Sequence, residues 1–299
     1  MTLQQKMRGR LTLMSFLLPS LLGFLVFVFL PFLMAIALSF TNYTGGPNFR
    51  FVGIKNYQVA FADKVFRSSL SLTFKYMLVT VVWEIALGML LAVILSKPFK
   101  GCSFFRGLFY IPNILSSIAV SLAFMYIFEP TGGIVNQVLR SLGLPTSQWL
   151  ASQKAAMPVI EIVSVWQNFG YYMVLFIGGL QNVNTSLYEA AEMDGANAWQ
   201  KFKTVTIPGL SPVLFYGITI AIIRAFKVFD YVFAMTGGQE GGGPAGSTTV
   251  LAFDIYRSAF MQFRFGYASA ESVVLLIIVF IITMVQNYGQ KKWVVYDVV

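Results

Sequence analysis

The sequence contains no histidine, a single cysteine and few charged residues. Zinc hydrolases, haem proteins, iron–sulfur proteins and enzymes with a Cys–His pair depend on the first two residue types, so the composition argues against all of these classes. Cys102 has no second cysteine with which to form a disulfide bond. We therefore predict no metal site and no catalytic residue on this chain.

Charged residues make up 11% of the 299 residues, and hydrophobic residues make up 57%. A soluble domain carries about 25% charged residues, so this chain has too few polar side chains to cover a water-facing surface. The composition indicates an integral membrane protein. The net charge of +9 does not indicate nucleic-acid binding, because Lys and Arg are scattered over short loops without an aromatic-interleaved basic patch.

A helix needs about 20 apolar residues to cross the hydrocarbon layer of a membrane. Six segments meet this requirement, at roughly 12–40, 70–96, 104–128, 157–181, 209–234 and 267–288. The first resembles a cleaved signal peptide at Ala35-Ile36-Ala37, but its apolar run far exceeds the roughly 7–15 residues of such peptides, which favours a retained helix. The predicted fold class is an all-α integral membrane protein with six transmembrane helices.

The charges of the loops predict the orientation of the chain. With the N-terminus inside, ten Lys and Arg residues lie on short inner segments, whereas eight are spread over much longer outer loops. Because basic residues concentrate on the cytoplasmic side, we expect both termini, and the loop at 184–208, in the cytoplasm. The last outer loop, 236–266, begins with a Gly-rich stretch and continues as DIYRSAFMQFRFGY, which is typical of an aromatic helix at the membrane interface.

The loop at 184–208 concentrates three carboxylates, those of Glu189, Glu192 and Asp194, within six residues. Acidic residues are disfavoured beside an anionic membrane surface. Judged from the residues alone, the loop is either an ordinary amphipathic linker or a surface to which another protein binds.

Two short helices are predicted within this loop. Ser186 and Glu189 have the spacing of a capping box, and Gly195 is a natural stop at the C-terminal end of a helix. Asn197 is suited to cap a second helix. Pro208 would then open the fifth spanning helix, where its missing N–H is tolerated.

The segment EAAEMDGANAWQKFKTVTIPGLSP resembles the EAA loop of binding-protein-dependent ABC importers. The matching positions are Glu189, Ala190, Ala191, Gly195, Ile207 and Pro208. Further segments, at 51–57, 104–116, 132–143, 226–238 and 265–272, are similar to sugar-importer permeases of the maltose-transporter type. The outer loop departs from the pattern, since TGGQEGGGP stands where the family has a short TGGGP.

The resemblance implies the transmembrane domain of a type I ABC importer. Residues 1–64 would form the cytoplasmic N-terminus, the first helix and an outer loop, 65–288 the five-helix core, and 289–299 a cytoplasmic tail. In this family the EAA loop is a coupling helix that docks on a cytoplasmic ATPase subunit. The resemblance gives this role to Glu189, Ala190, Ala191, Asp194 and Gly195.

The chain contains no Gly-Lys pair, and hence no P-loop, so ATP and Mg would be bound by partner subunits and this chain would be a transporter subunit without enzyme activity. The resemblance implies a second permease chain, two cytoplasmic ATP-binding subunits, an extracytoplasmic solute-binding protein and a carbohydrate substrate, an oligosaccharide. It also implies the bacterial plasma membrane as the location and no cofactor on the chain itself.

Two polar stripes follow predicted spanning helices at helical spacing. One consists of Ser164, Gln167, Asn168 and Tyr171, and the other of Asn113, Ser116, Ser117 and Ser121. Amides and aromatic rings suit a sugar, and the family's corresponding helix lines the substrate cavity, so Gln167, Asn168 and Tyr171 are predicted substrate contacts. The serine-rich stripe is interpreted as hydrogen bonding between helices.

The fifth predicted helix carries three ionisable residues, Arg224, Lys227 and Asp230, at intervals of three. Ionised groups inside a membrane face protein or water. We interpret Lys227 and Asp230 as a structural ion pair, and Arg224 and Lys227 as substrate contacts. These cations leave open an anionic substrate, such as a uronate oligosaccharide or glycerol phosphate.

A secondary transporter driven by an ion gradient is the alternative function, because intramembrane charges often mark proton relays. Glu84, Glu161 and Glu271 add to these charges, and we interpret them as ion-pair partners or cavity lining. The absence of an inverted repeat argues against such a transporter.

Overall fold

The computed structural model of the protein describes residues 3–97, 99–237 and 241–294, with side chains from Met14 onwards. The regular structure of these residues is helical, apart from one isolated bridge between Thr41 and Phe51. The helices are α1 (Leu3–Phe24), α2 (Leu30–Ser39), α3 (Lys55–Ala62), α4 (Lys64–Ser96), α5 (Cys102–Ile114), α6 (Ser117–Ile127), α7 (Ile134–Ser141), α8 (Ala156–Gln181), α9 (Thr185–Met193), α10 (Ala198–Lys201), α11 (Ile207–Phe226), α12 (Asp230–Thr236), α13 (Leu251–Tyr256) and α14 (Phe265–Trp293).

Several helical stretches of the described residues are long and apolar enough to span a membrane. They are Met14–Ser39, Lys64–Ser96, Ala156–Gln181, Ala198–Phe226 and Phe265–Trp293. α5 and α6 together make a further span if the bent pair is counted as one. The predicted all-α membrane fold is confirmed, with one of its spans broken.

The break lies in the third predicted span, 104–128, which is therefore not one continuous helix. α5 ends at Ile114, Leu115 and Ser116 are extended, and α6 continues at an angle of 96°. Pro112 lacks a backbone N–H and so weakens the hydrogen bonding of the last turn of α5.

The prediction that Asn113, Ser116, Ser117 and Ser121 share one helical face is wrong, because these residues lie on both sides of the break. Asn113, at the end of α5, donates to the Asn168 side-chain oxygen over 3.3 Å, as expected for hydrogen bonding between helices. Ser121 instead donates to the Ser117 carbonyl within α6, over 2.6 Å.

The fifth span also differs from its predicted limits of 209–234. It begins earlier, at Ala198, and runs without interruption to Phe226. A π-helical turn at Phe202–Thr206 precedes Pro208, which lies inside the span and does not open it. The wider turn accommodates a residue whose ring would otherwise clash with a carbonyl of the preceding turn.

One compact unit joins the residues up to Lys64 with Ile255–Val274. Within it, the Gly266 N–H donates to the Tyr43 carbonyl over 2.9 Å. A Cβ atom at Gly266 would overlap the Thr41 carbonyl, so only glycine permits this approach. The predicted division into three consecutive segments did not anticipate that a later segment joins the N-terminal one.

The other compact unit comprises Val65–Asp254 and the residues from Leu275 onwards. Its central element is α8, which packs against both α5 and α11. The α8 side chains of Tyr172, Met173 and Phe176 are fully buried. A helix that is covered on several sides is well placed to hold polar groups away from lipid.

The segment predicted as an aromatic helix at the membrane interface, 254–267, follows the buried start of α13. Leu251 and Phe253 are fully buried, and the Leu251 N–H donates to the Thr73 hydroxyl over 2.8 Å. Within the predicted segment, Phe260 and Phe263 are each 61% exposed, as an interfacial position requires, and that position stays a prediction. Residues 238–240 of the preceding Gly-rich stretch lie outside the described residues.

The turn between α6 and α7 is held by the exposed carboxylate of Glu129. It accepts the Thr131 N–H over 2.9 Å and also the Gly132 N–H. These backbone hydrogen bonds, first that from Gly132 and then that from Thr131, lower the pKa of Glu129 below its ordinary value.

This lowered pKa predicts how the turn depends on pH. Ionised Glu129 contributes stability that is present above its unfolded pKa of about 4.3 and is lost as the pH falls through the lower native pKa. In a carbon-13 NMR titration, the Glu129 carboxyl resonance, assigned by its loss in Glu129→Gln, should have its midpoint below that of an ordinary glutamate. A midpoint at or above the ordinary value would contradict the hydrogen-bonded turn.

Candidate functional site

The 184–208 loop forms a short helix whose two ends are both defined by local contacts. Asn184 caps α9, because its side-chain oxygen accepts the Ser186 N–H over 3.0 Å. The predicted capping box of Ser186 and Glu189 is therefore wrong, since α9 begins at Thr185 and Ser186 already lies inside it. The predicted stop is confirmed, because Gly195 lies just beyond the end of α9. Its φ of +75° is the left-handed conformation with which many helices end.

A second cap connects this loop to the fifth span. The Asn197 side chain accepts the Gln200 N–H over 2.9 Å, and the Gln200 side chain accepts the Asn197 N–H over 2.7 Å. This reciprocal capping box confirms Asn197 as the start of a helix. The helix that begins here is the continuous stretch Ala198–Phe226, so the loop is joined directly to a spanning rod.

The outward surface of the loop combines acids with large apolar side chains. Glu189, Ala190, Asp194 and Gly195 are exposed, and Ala191 is half-buried. Met193 is 88% exposed and Trp199 is 69% exposed. Carboxylates beside uncovered apolar side chains favour a protein-binding surface over a linker that lies on an anionic leaflet.

A cavity of about 350 Å³ lies among the spanning helices of the second unit. Its lining includes many hydroxyl, amide and charged side chains: Tyr76, Thr80, Glu84, Ser117, Ser164, Asn168, Arg224, Lys227, Asp230 and Tyr231. These residues come from α4, α6, α8, α11 and α12 and from the junction between the last two helices. Residues that are distant in sequence therefore meet around one polar space.

Arg224 links three of these helices. One nitrogen of its guanidinium forms an ion pair of 2.5 Å with Glu84 on α4, and another donates to the Asn168 side-chain oxygen on α8 over 2.8 Å. The guanidinium carbon also lies 5.3 Å from the centre of the Tyr172 ring. The Arg224 side chain is 35% exposed, whereas that of Glu84 is only 3% exposed.

A chain of amides and hydroxyls extends from Asn168. The Asn168 side-chain amide donates to the Ser164 carbonyl over 2.7 Å and to the Tyr231 hydroxyl over 3.1 Å. The Tyr231 hydroxyl donates in turn to Gln167 over 2.9 Å, and Gln167 donates to the Leu115 carbonyl over 2.9 Å. Gln167 thus satisfies a backbone group that the break between α5 and α6 leaves free.

The predicted substrate contacts divide into two groups. Asn168, Arg224 and Lys227 line the cavity. Gln167 is buried and engaged with other protein groups, and the lining does not include it. Tyr171 is also absent from the lining, and its ring lies 5.2 Å from that of Tyr172.

The predicted ion pair between Lys227 and Asp230 is not formed. The structure contains ion pairs of Arg224 with Glu84 and of Lys201 with Glu192, and neither includes Lys227 or Asp230. The spacing argument failed because the helix ends at Phe226 and a new one begins at Asp230, so the two residues do not share one helical face. Both are exposed and line the same cavity.

Glu84 was interpreted from the sequence as an ion-pair partner or cavity lining, and it is both. Several other residues of the network were given no role, although a signal for some of them was present. A polar stripe runs along α4 at intervals of three or four residues and is buried throughout: Ser69, Thr73, Tyr76, Thr80 and Glu84. Tyr76 donates to the Ser164 hydroxyl over 2.7 Å. Tyr231 follows the unforeseen helix break, so no regular spacing pointed to it.

The lining of this cavity includes neither of the two other intramembrane glutamates. Glu161 lines a separate, mostly apolar groove of about 390 Å³ together with Trp83 and Trp166. Glu271 is fully buried and belongs to the first unit. Among residues 3–97, 99–237 and 241–294, no cluster of acidic or cysteine side chains is suited to hold a metal ion.

Asn168 is the hub of the cavity network, so its truncation should damage both folding and function. We expect Asn168→Ala to lower stability by about 2–3 kcal/mol, because buried partners left without a hydrogen bond cost about 1–3 kcal/mol. Thermal unfolding of the purified chain measures this. Asn182→Ala, at the exposed C-terminal end of the same helix, should stay within about 0.5 kcal/mol. Equal effects of the two changes would contradict the hub role.

Comparisons with known proteins identify the family to which the chain is similar. The family described as "binding-protein-dependent transport system inner membrane component" matches residues 84–294. The probable ABC transporter permease protein YurN of Bacillus subtilis is 35% identical over 91% of this chain and 93% of its own length. The multiple sugar-binding transport system permease protein MsmF of Streptococcus mutans is 36% identical over 93% of this chain and 95% of its own length.

A similar fold occurs in a solved structure. A chain of a bacterial ABC transporter involved in the import of the acidic polysaccharide alginate superposes with a TM-score of 0.85, over 97% of this chain and 98% of that one. The sequence identity is 21%, so this likeness concerns the fold alone.

Proposed function

The chain belongs to the family of binding-protein-dependent transport system inner membrane components, and we propose that it provides one half of the membrane pathway of an ATP-driven oligosaccharide importer. A carbohydrate substrate is supported by the name of the MsmF relative, a sugar-transport permease. The solved structure that shares the fold comes from a polysaccharide importer. The family description itself supports delivery of the substrate by a binding protein.

The observation that carries the substrate class is the lining of the cavity. Amide and hydroxyl groups can both donate and accept hydrogen bonds, as sugar hydroxyls require. Asn168 and Tyr231 supply such groups at the cavity surface. We assign direct substrate contact to these two residues, a positioning role to Gln167 through its hydrogen bond from Tyr231, and no contact in this cavity to Tyr171.

The 184–208 loop is the proposed site of coupling to ATP hydrolysis. Two cytoplasmic subunits would bind ATP and Mg, and Glu189, Ala190, Ala191, Asp194 and Gly195 would dock on them. The exposure of α9, including its last residue Met193, and of Trp199 on α10 supports this assignment. The chain would then lie in a bacterial plasma membrane with both termini in the cytoplasm, next to a second permease chain that completes the pathway.

The continuous stretch Ala198–Phe226 suggests how motion of this loop reaches the cavity. Its 29 residues form a rod of about 43 Å at 1.5 Å per residue. One end is fixed to the loop by the Asn197 cap, and the other carries Arg224, which is bonded to α4 and α8. Closure of the ATP-binding subunits would displace the loop, and the rod would shift the helices between inward and outward openings.

Reconstitution in liposomes tests the proposed function. The complete set of partner subunits, with ATP inside and the matching solute-binding protein with its saccharide outside, should accumulate the saccharide. This chain alone should accumulate none. Uptake by the lone chain that collapses when an uncoupler is added would show an ion-driven transporter instead.

A further inference from the structure

The charged groups of the cavity are balanced. Its lining contains two carboxylates, those of Glu84 and Asp230, and two cations, Arg224 and Lys227, so it has no formal net charge. Arg224 and Lys227 were the reason why the sequence analysis left an anionic substrate open. In the cavity, these two cations are accompanied by two acids. A sequence pattern along α11 alone could not reveal the acid on α4.

Arg224 is the cation that is held most firmly. Its guanidinium contacts Glu84 over 2.5 Å and Asn168 over 2.8 Å, and it lies near the face of Tyr172. An anionic substrate could reach Arg224 only by sharing it with the Glu84 carboxylate. Glu84 has almost no access to water, so a second negative charge beside it would meet strong like-charge repulsion.

The fold itself does not set this charge preference. The solved importer that shares it handles an acidic polysaccharide, so selection between charged and uncharged sugars must come from side chains. On the basis of the proposed function, we propose that Glu84 makes this cavity selective for uncharged, hydroxyl-rich saccharides, by holding the Arg224 guanidinium in an internal ion pair that excludes anions.

Equilibrium binding to the assembled importer in nanodiscs, without the solute-binding protein, tests this proposal. The probes are α-1,4-galactotriose and α-1,4-trigalacturonate, which differ only at C6. Glu84→Gln should strengthen trigalacturonate binding by about tenfold or more over the unmodified importer, since the freed Arg224 charge then attracts the carboxylates. Galactotriose binding should change by less than about threefold, because its hydroxyls do not depend on that charge.

Glu161→Gln is the matched control. It removes a carboxylate from a spanning helix, α8, but Glu161 lines a separate groove and not this cavity. We expect it to change trigalacturonate binding by less than about threefold, because it leaves the ion pair of Arg224 with Glu84 in place. An equal gain in Glu161→Gln, or no gain in Glu84→Gln, would overturn the proposal.

A second variant decides the question should Glu84→Gln fail to assemble. Arg224→Gln leaves the Glu84 carboxylate without its cation, so trigalacturonate binding should fall about tenfold or more while galactotriose binding changes less. Unchanged trigalacturonate binding would again overturn the proposal. ATP-driven saccharide uptake by the unmodified importer is scored separately, so failure of transport counts against the proposed function and not against the role of Glu84.

Discussion

Gly195→Trp is expected to abolish ATP-driven uptake without unfolding the chain. A Cβ atom at this position meets no other atom within 4 Å, so the indole would project into open space at the end of α9. Under the proposed function, an ATPase subunit would dock in that space. Loss of a central docking contact costs about 2 kcal/mol or more, which corresponds to roughly 30-fold weaker association.

The backbone at Gly195 adds a cost that must be separated from the loss of docking. Its φ of +75° is left-handed, and a non-glycine residue there costs about 1–2 kcal/mol. Gly143 provides a matched position at the end of α7, with φ +69° and also no atom within 4 Å of an added Cβ.

The two glycines share the same pattern of backbone hydrogen bonds at the end of a helix. The Gly195 N–H donates to the carbonyl three residues earlier, and the Ala196 N–H donates to the carbonyl five residues earlier. The N–H groups of Gly143 and Leu144 follow the same pattern. Gly143→Trp should therefore show the same backbone strain but retain uptake and assembly. Co-purification of the ATPase subunits and uptake in liposomes measure the difference. Full uptake and assembly in Gly195→Trp would disprove the coupling role of the loop.

Features encoded by neighbouring residues were predictable from the sequence. Gly195 and Asn197 end and start helices through their own backbone and side-chain chemistry, and the spans at 70–96 and 157–181 follow from their apolar length. The breaks after Ile114 and Phe226 were not predicted, because both lie within apolar runs that are compatible with a continuous helix.

The same distinction applies to the cavity. The α8 stripe pointed to Asn168, which lines the cavity, because helical spacing places its members on one face. Its contact with substrate stays a prediction. The partner of Arg224 was not assigned, since Glu84 lies 140 residues away in the sequence and only packing brings them together. The break after Phe226 has a further consequence. Lys227 and Asp230 do not form the predicted ion pair, and the Tyr231 hydroxyl lies next to Gln167.

Gly170→Ala is expected to be one of the two most damaging glycine-to-alanine substitutions in the spanning helices, together with Gly266→Ala. An added Cβ would overlap the Phe109 carbonyl oxygen and come within 3.2 Å of the Tyr110 Cα, and both are backbone atoms of α5. Overpacking costs about 1–3 kcal/mol, and backbone cannot yield as the end of a side chain can. We expect the melting temperature to fall by roughly 4–10 °C.

Gly178→Ala provides the control within the same helix. No atom lies within 4 Å of a Cβ at this position, so the change adds a methyl group without a clash. Alanine is favoured over glycine in a helix by about 0.5–1 kcal/mol, so this variant should melt at the same or a higher temperature. Equal melting temperatures of the two variants would show that α5 is not pressed against α8 at Gly170.

The position of Gly170 also connects this packing to the site. α5 lies close to α8 at Phe109 and ends at Ile114, and the carbonyl of the next residue, Leu115, accepts a hydrogen bond from the Gln167 side chain. Displacing α5 would lengthen that hydrogen bond and release Gln167, which holds the Tyr231 hydroxyl at the cavity. Gly170→Ala should therefore reduce saccharide binding in whatever complex still assembles, whereas Gly178→Ala should leave it intact.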